Sequence, residues 1–99
     1  MIKVVSKKNL IVITGHADYD DYGKDIVCAS VSSIVITSIN ACLRFNNESI
    51  KYKEEKDKLT IDIINNDKNT LLIIDNMMSM LEELAKMYQR NIKIIKEEK

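Results

Sequence analysis

The chain has 99 residues, of which 45% are hydrophobic and 30% are charged, a balance typical of one folded domain over residues 1–99 rather than of a disordered tail. Its 15 Lys and Arg residues balance its 15 Asp and Glu residues, so the net charge of zero argues against direct binding to nucleic acid. We expect no apolar run of the roughly 20 residues that span a bilayer and no signal peptide, and therefore a cytoplasmic protein with no membrane partner.

The first half of the chain predicts two strands, a loop and a helix. Residues 2–5 and 10–14 are short β-branched runs, and the polar residues 6–9 between them predict a hairpin turn. An irregular loop over 15–24 follows. Residues 25–45 are apolar nearly all round, and although their β-branched content would suit a strand, their length favours a buried helix.

The middle of the chain predicts a second hairpin. Residues 49–54 and 58–64 both alternate polar and apolar side chains, and a charged turn over 55–57 joins them. Alternation of this kind is typical of strands in a sheet with one solvated face.

The last third predicts a second helix and a closing strand. A loop over 65–69 carries residues that cap helices, apolar residues then recur at helical spacing over 71–89, and residues 91–96 form the final strand. Methionines in this helix could line an adaptable groove, although at this spacing they are more often core: Met77, Met78, Met80 and Met87. Together the elements predict an α+β fold, a small mostly antiparallel sheet packed against two helices.

Residues that carry chemistry concentrate between the second strand and the first helix. This short stretch holds the single histidine, His16, both glycines, Gly15 and Gly23, and one of the two cysteines, Cys28. His16 should project from the end of the strand, and Cys28 should lie in the first turn of the helix. There the helix dipole and unpaired N–H groups favour a thiolate, so the pair has the pattern of a cysteine nucleophile with a histidine base.

The same helix start offers backbone donors for an oxyanion. We expect the N–H of Cys28 to be one donor and a loop amide near Gly23 or Lys24 to be another. The plainer alternative is a surface histidine beside an inert thiol, because free cysteines are among the most buried residues. Cys42 fits that inert description. On one helix the two cysteines would lie ~21 Å apart, too far for a disulfide.

Asp25 and Ser32 flank the cysteine and each has two interpretations. Asp25 is either the N-cap of the helix or the acid that orients His16, and we favour the cap because Asp three residues before Cys28 fits that geometry. Ser32 lies one helical turn after Cys28 and either lends a hydroxyl or packs, with packing favoured. One histidine and two distant cysteines do not make a zinc site, so we expect no metal and no cofactor.

A longer pattern runs through these residues. Gly15-His16-Ala17, then Gly-Lys-Asp-Ile-Val-Cys-Ala over 23–29 and Val-Ser over 31–32, closely resembles the signature of the ribosomal-processing cysteine proteases of Firmicutes and relatives. The resemblance implies a peptidase that removes a short N-terminal extension from a large-subunit ribosomal protein. It also implies that Cys28 is the nucleophile and His16 the base, with supporting positions at Gly15, Gly23, Asp25 and Ser32.

The resemblance carries further expectations about the assembly. It implies a homodimer, a mobile loop over the site at 17–24, and an apolar pocket beside Cys28 for aromatic residues that precede the cut. Ser30 departs from the alanine usual in the family, and the loop is unusually acidic. A non-catalytic ribosome-assembly module is the alternative function, and it predicts an ordinary thiol and an unimportant His16.

Overall fold

The computed structural model describes residues 1–21 and 24–97. Its five strands form one sheet in the order β3-β4-β2-β1-β5, in which β1 pairs parallel with β5 and every other pair is antiparallel. The predicted α+β fold with a mostly antiparallel sheet and two helices is confirmed. In chain order the elements are β1 (Ile2–Lys7), β2 (Leu10–Thr14), α1 (Ile26–Phe45), β3 (Ile50–Glu55), β4 (Lys58–Ile63), α2 (Lys68–Met87) and β5 (Ile92–Lys96).

Both predicted hairpins form, and both turns are tighter than the sequence suggested. Lys7 pairs with Leu10 and Glu55 pairs with Lys58, so each turn has two residues. The second turn residues, Asn9 (φ 64°) and Asp57 (φ 59°), adopt the left-handed backbone conformation. Asn and Asp tolerate that conformation better than most residues, which is why the chain can reverse so sharply at these points.

Helix α1 forms as predicted, but the expectation of a buried helix holds for one of its sides only. The residues that enter the core recur every three or four positions, the period of one helix face: Val27, Val31, Val35, Ser38, Ile39 and Cys42. On the opposite side Ile26 and Ile36 are more than half exposed. The helix packs against α2 and the inner face of the sheet, and nothing in residues 1–21 and 24–97 covers its outer side.

The expectation that no apolar run could span a bilayer was also wrong by length and composition. Helix α1 has 20 residues, and an 18-residue stretch of it has a mean hydropathy of 2.0, long and apolar enough to cross a membrane. Ser, Thr and Asn interrupt its run of apolar residues without adding charge until Arg44. Core helices of soluble proteins meet the same criterion, and α1 supplies one wall of the core here.

Helix α2 begins three residues before the predicted start. Asp67 is its N-cap, and its carboxylate accepts hydrogen bonds from the N–H (2.8 Å) and the hydroxyl (3.1 Å) of Thr70. The prediction that its methionines belong to the core holds for Met77 and Met78, which are buried. Met80 and Met87 are exposed.

The sheet register brings three separate segments together at one end of the molecule. Thr14 pairs with Lys58, so the turn before β4 lies beside the residues that follow β2. The backbone N–H of Gly15 donates to the carbonyl of Asp57 (3.0 Å) and fixes this approach. The first turn of α1 lies at the same end, and the three segments enclose a groove.

Candidate active site

The groove has a volume of about 860 Å³ and contains most of the predicted site residues. Cys28 and His16 both line it, as do Gly15, Asp25 and Ser32. Gly23 lies outside the described residues. The apolar residues that line the groove come from the strands and from α1: Ile2, Ile13, Val31, Val35, Ile36 and Leu59.

Cys28 is the third residue of α1 and is half-buried. Its Sγ accepts a hydrogen bond from the backbone N–H of Ala17 at 3.3 Å. Ala17 is itself buried, and its carbonyl accepts a hydrogen bond from Nδ2 of Asn91 (2.8 Å). Ala17, the residue after His16, therefore contacts the sulfur through its N–H while its carbonyl is held by a residue from the other end of the chain.

Asp25 is the N-cap of α1, the interpretation that the sequence favoured. One carboxylate oxygen accepts from the N–H groups of Val27 (2.9 Å) and Cys28 (3.0 Å). The other accepts from the loop amides of Tyr19 (2.9 Å) and Asp20 (3.4 Å). Asp25 thus fastens the loop to the start of the helix.

The electrostatics of Asp25 follow from these contacts. Desolvation disfavours its charged form, but the four backbone N–H groups outweigh that effect and hold the pKa of Asp25 below its ordinary value. Within residues 1–21 and 24–97 the carboxylate makes no hydrogen bond or ion pair with His16. Asp25 therefore does not orient the histidine in this structure.

Two of the expected oxyanion donors, the amides of Cys28 and Lys24, already have acceptors in this structure. The N–H of Cys28 donates to Asp25, and the N–H of Lys24 donates to the carbonyl of Asp21 (2.9 Å). An N-cap side chain occupies the first free amides of its helix, and in this structure that side chain is the partner of the Cys28 N–H. The donor that does point at the nucleophilic atom is the N–H of Ala17.

His16 faces the β3–β4 turn. Its Nε2 lies 2.6 Å from Oδ1 of Asp57, and both side chains are about half exposed, at 55% and 45%. Among the described residues no hydrogen bond joins the imidazole to Cys28. The structure thus places His16 and Cys28 in one groove, with Ala17 rather than the imidazole on the sulfur.

Gly15 must be a glycine. Its φ is +88°, and a Cβ at this position would clash with the carbonyl oxygen of Met1. Ser32 is exposed on the wall of the groove, so the expectation that it packs was wrong. Its position one turn beyond Cys28 on the solvent side of α1 explains the difference.

The loop that follows His16 is attached at several points over its described residues, 17–21. Besides the contacts to Asp25 and Asn91, the ring of Tyr19 packs edge-to-face on Tyr88 with 5.4 Å between ring centroids. The loop therefore rests on the end of α2 in this conformation.

Cys42 has the character of an inert thiol. It is fully buried, and desolvation, together with the nearby charge of Asp67, raises its pKa. Both cysteines are free. In the part of the chain that the structure describes, no group of three or more His, Cys, Asp or Glu side chains could hold a metal ion.

Comparison with known proteins identifies the family. A family model described as Cysteine protease Prp matches residues 1–93. The chain belongs to the cysteine protease Prp family. The ribosomal processing cysteine protease Prp of Staphylococcus aureus is 31% identical over 87 residues, which cover 85% of this chain and 82% of the relative. The Mycoplasma genitalium protease of the same name is 30% identical over 100 residues, covering 99% and 97%.

A solved Prp structure shares the fold. The S. aureus protease, described as an essential ribosomal processing protease in complex with a covalently linked product peptide, superposes with a TM-score of 0.93. The two chains are 26% identical over 98% of this chain and 100% of that one. Membership in the Prp family confirms the family resemblance and the enzyme class, a cysteine protease.

Sequence reasoning missed two residues of this candidate site. Asp57 lies 41 positions from His16, and Asn91 lies 74 positions from Ala17. The charged turn at 55–57 gave a weak signal for Asp57, because an acid at a hairpin turn is ordinary. Only the pairing of β2 with β4 reveals that this turn meets the histidine.

Proposed function

We propose that this protein is a cysteine endopeptidase that removes the short N-terminal extension of a large-subunit ribosomal protein during ribosome maturation. The observation that carries the proposal is the position of Cys28. Its sulfur lies in the first turn of α1, in a groove that also holds His16, with a backbone N–H aimed at it. A helix N-terminus and an N–H donor both favour a thiolate.

In the first half of the reaction, the Cys28 thiolate attacks the scissile carbonyl carbon. The new C–S bond pushes the carbonyl electrons onto oxygen, and the Ala17 N–H is a donor close to this developing charge. As the tetrahedral intermediate collapses, the C–N bond breaks and the imidazolium of His16 gives its proton to the leaving amine. A thioester on Cys28 remains.

In the second half, water releases the product. The now neutral imidazole of His16 takes a proton from water, whose oxygen attacks the thioester carbonyl. The C–S bond then breaks, the new carboxylic acid leaves, and Cys28 returns to the thiolate paired with imidazolium. No other reactant is required.

The groove suits an extended peptide with apolar residues before the cut. Buried and half-buried aliphatic side chains line the wall next to Cys28, namely Val31, Val35 and Leu59. Burial of an aromatic side chain against such a surface would contribute about 1.5–3 kcal/mol to binding. This supports the aromatic preference that the family signature implies.

We further propose that the protein acts in the cytoplasm as a homodimer. Large apolar side chains are exposed on both helices, which supports a second copy as their partner: Ile36, Phe45, Leu72, Met80 and Met87. Light scattering after size-exclusion chromatography should give twice the chain mass of 11.4 kDa. A monomer at micromolar concentration contradicts the homodimer.

Peptide cleavage tests the protease function. The substrate is a synthetic peptide spanning the extension and cut site of the host's own ribosomal protein, incubated with wild type, Cys28→Ala and Cys42→Ala. Cleavage by wild type and Cys42→Ala but not by Cys28→Ala supports the proposal. Cleavage by folded Cys28→Ala contradicts it, and failure of wild type on both this peptide and the full-length ribosomal protein favours the non-catalytic assembly module.

A further inference from the structure

Asp57 is attached to the histidine segment at two points. Its carbonyl oxygen accepts the Gly15 N–H at 3.0 Å, and its Oδ1 lies 2.6 Å from Nε2 of His16. One contact fixes the backbone of the turn relative to the backbone beside the histidine. The other reaches the ring itself, so the carboxylate stands in a defined position relative to the imidazole.

Strand pairing places this carboxylate, and residues 17–21 of the loop after His16 are not needed for it. The pairing of Thr14 with Lys58 sets the distance between the two segments. The two-residue turn needs a left-handed residue at position 57, and Asp is one of the few side chains that accept it. Position 57 therefore combines a backbone requirement with a carboxylate aimed at His16.

We propose that Asp57 is the positioning residue for His16 in peptide cleavage, an inference that rests on the proposed function. By holding Nε2, Asp57 leaves Nδ1 as the ring nitrogen that exchanges the proton with Cys28. Its negative charge also stabilises the imidazolium that stands beside the thiolate before attack. Asp57 acts through His16 and is not itself a catalytic residue.

Asp25, the groove acid nearest to Cys28 in the sequence, is excluded from this role by its hydrogen bonds. Both of its oxygens accept backbone N–H groups, two in α1 and two in the loop. Among the described residues, the carboxylate that contacts the His16 ring is that of Asp57. The two acids therefore have different roles: Asp25 caps the helix that carries Cys28, and Asp57 holds the ring of His16.

Two substitutions at position 57 test the inference without breaking the turn, because Asn and Gly both accept a positive φ. In Asp57→Gly the ring loses its anchor, and we expect kcat to fall on the order of 100-fold with KM nearly unchanged. In Asp57→Asn the amide oxygen can still accept from Nε2–H, so a substantial part of kcat should return. Asp62→Asn, which removes one exposed charge from β4 outside the groove, is the matched control and should equal wild type.

Thermal unfolding shows whether a variant loses activity because it is less stable. Thiol alkylation reports the effect of Asp57 on Cys28 without depending on peptide cleavage. Unfolding temperatures of both variants should match wild type, and iodoacetamide should alkylate Cys28 as slowly in Asp57→Gly as in His16→Ala. The inference is overturned if kcat of Asp57→Gly stays within about threefold of wild type, or if its loss appears in KM or tracks unfolding. If wild type cleaves neither the peptide nor the full-length ribosomal protein, the proposed function fails, and the alkylation rates alone decide whether Asp57 controls His16.

Discussion

The backbone N–H of Ala17 lies 3.3 Å from Sγ of Cys28 and joins the histidine turn to the cysteine helix. Ala17 follows His16 directly, so the contact holds the base and the nucleophile in one groove even while the imidazole faces Asp57. The donor on the sulfur comes from a residue whose own carbonyl is held by Asn91. The reactive part of the site is thus formed by the residues after β2 and the first turn of α1, and Asn91, just before β5, holds them in place.

Asn91→Ala should weaken this brace. The substitution leaves the carbonyl of the buried Ala17 without its partner, which should cost about 1–3 kcal/mol in the free energy of unfolding. Peptide cleavage should fall as well, because the amide on the sulfur loses its fixed position. Urea unfolding and kcat/KM measure the two effects, with the exposed Asn66→Ala as control. Wild-type stability and activity in Asn91→Ala would contradict the brace.

Gly15→Ala should destabilise the protein and reduce activity. A left-handed backbone costs a non-glycine residue roughly 1–2 kcal/mol, and the added Cβ would also clash with the carbonyl of Met1. Chemical denaturation measures the loss of stability. Asn9→Gly, at another left-handed position, should be neutral or stabilising. Equal stability of Gly15→Ala and wild type would mean that the turn can relax.

The pH dependence of stability should carry the signature of Asp25. Because its pKa is lower in the folded than in the unfolded protein, its ionisation stabilises the fold at pH above the ordinary Asp value of about 3.9. This contribution is lost as the pH falls through the depressed folded pKa.

Asp25→Asn isolates that contribution, since Asn is also a good N-cap and keeps the helix start intact. Unfolding free energies from urea titrations should favour wild type at pH 6, and the difference should shrink toward pH 2. Asp62→Asn, at an exposed position on β4, controls for the loss of one charge. A difference that is constant over this range would mean that Asp25 is not ionised preferentially in the folded state.

The fold was predictable because local patterns agreed with the tertiary structure. Alternation gave both hairpins, and Asp25 three residues before Cys28 gave the helix cap. The exposed side of α1 was not predictable, since composition cannot tell which side of an apolar helix the rest of the chain will cover. The length of the uncharged segment in α1 was also underestimated, because Ser, Thr and Asn interrupt its apolar residues.

The candidate site was predictable only in its local part. The scarcity of His and Gly and the family signature located His16 and Cys28 within one short segment. Asp57 and Asn91 reach the site because β4 pairs with β2 and β5 pairs with β1. The spacing of residues in the sequence does not reveal which strands pair. In this structure the amide of Cys28, an expected oxyanion donor, donates to the helix cap Asp25.

Mass spectrometry of the protein treated with an active-site-directed peptide tests the central claim most directly. The reagent is a chloromethyl ketone carrying the residues that precede the cut, and Cys42, buried and protonated, serves as the internal control. The account predicts one adduct per chain, located on Cys28, with loss of cleavage in proportion to labelling and no adduct in Cys28→Ala. An adduct on another residue, or full cleavage activity with Cys28 completely labelled, would contradict it.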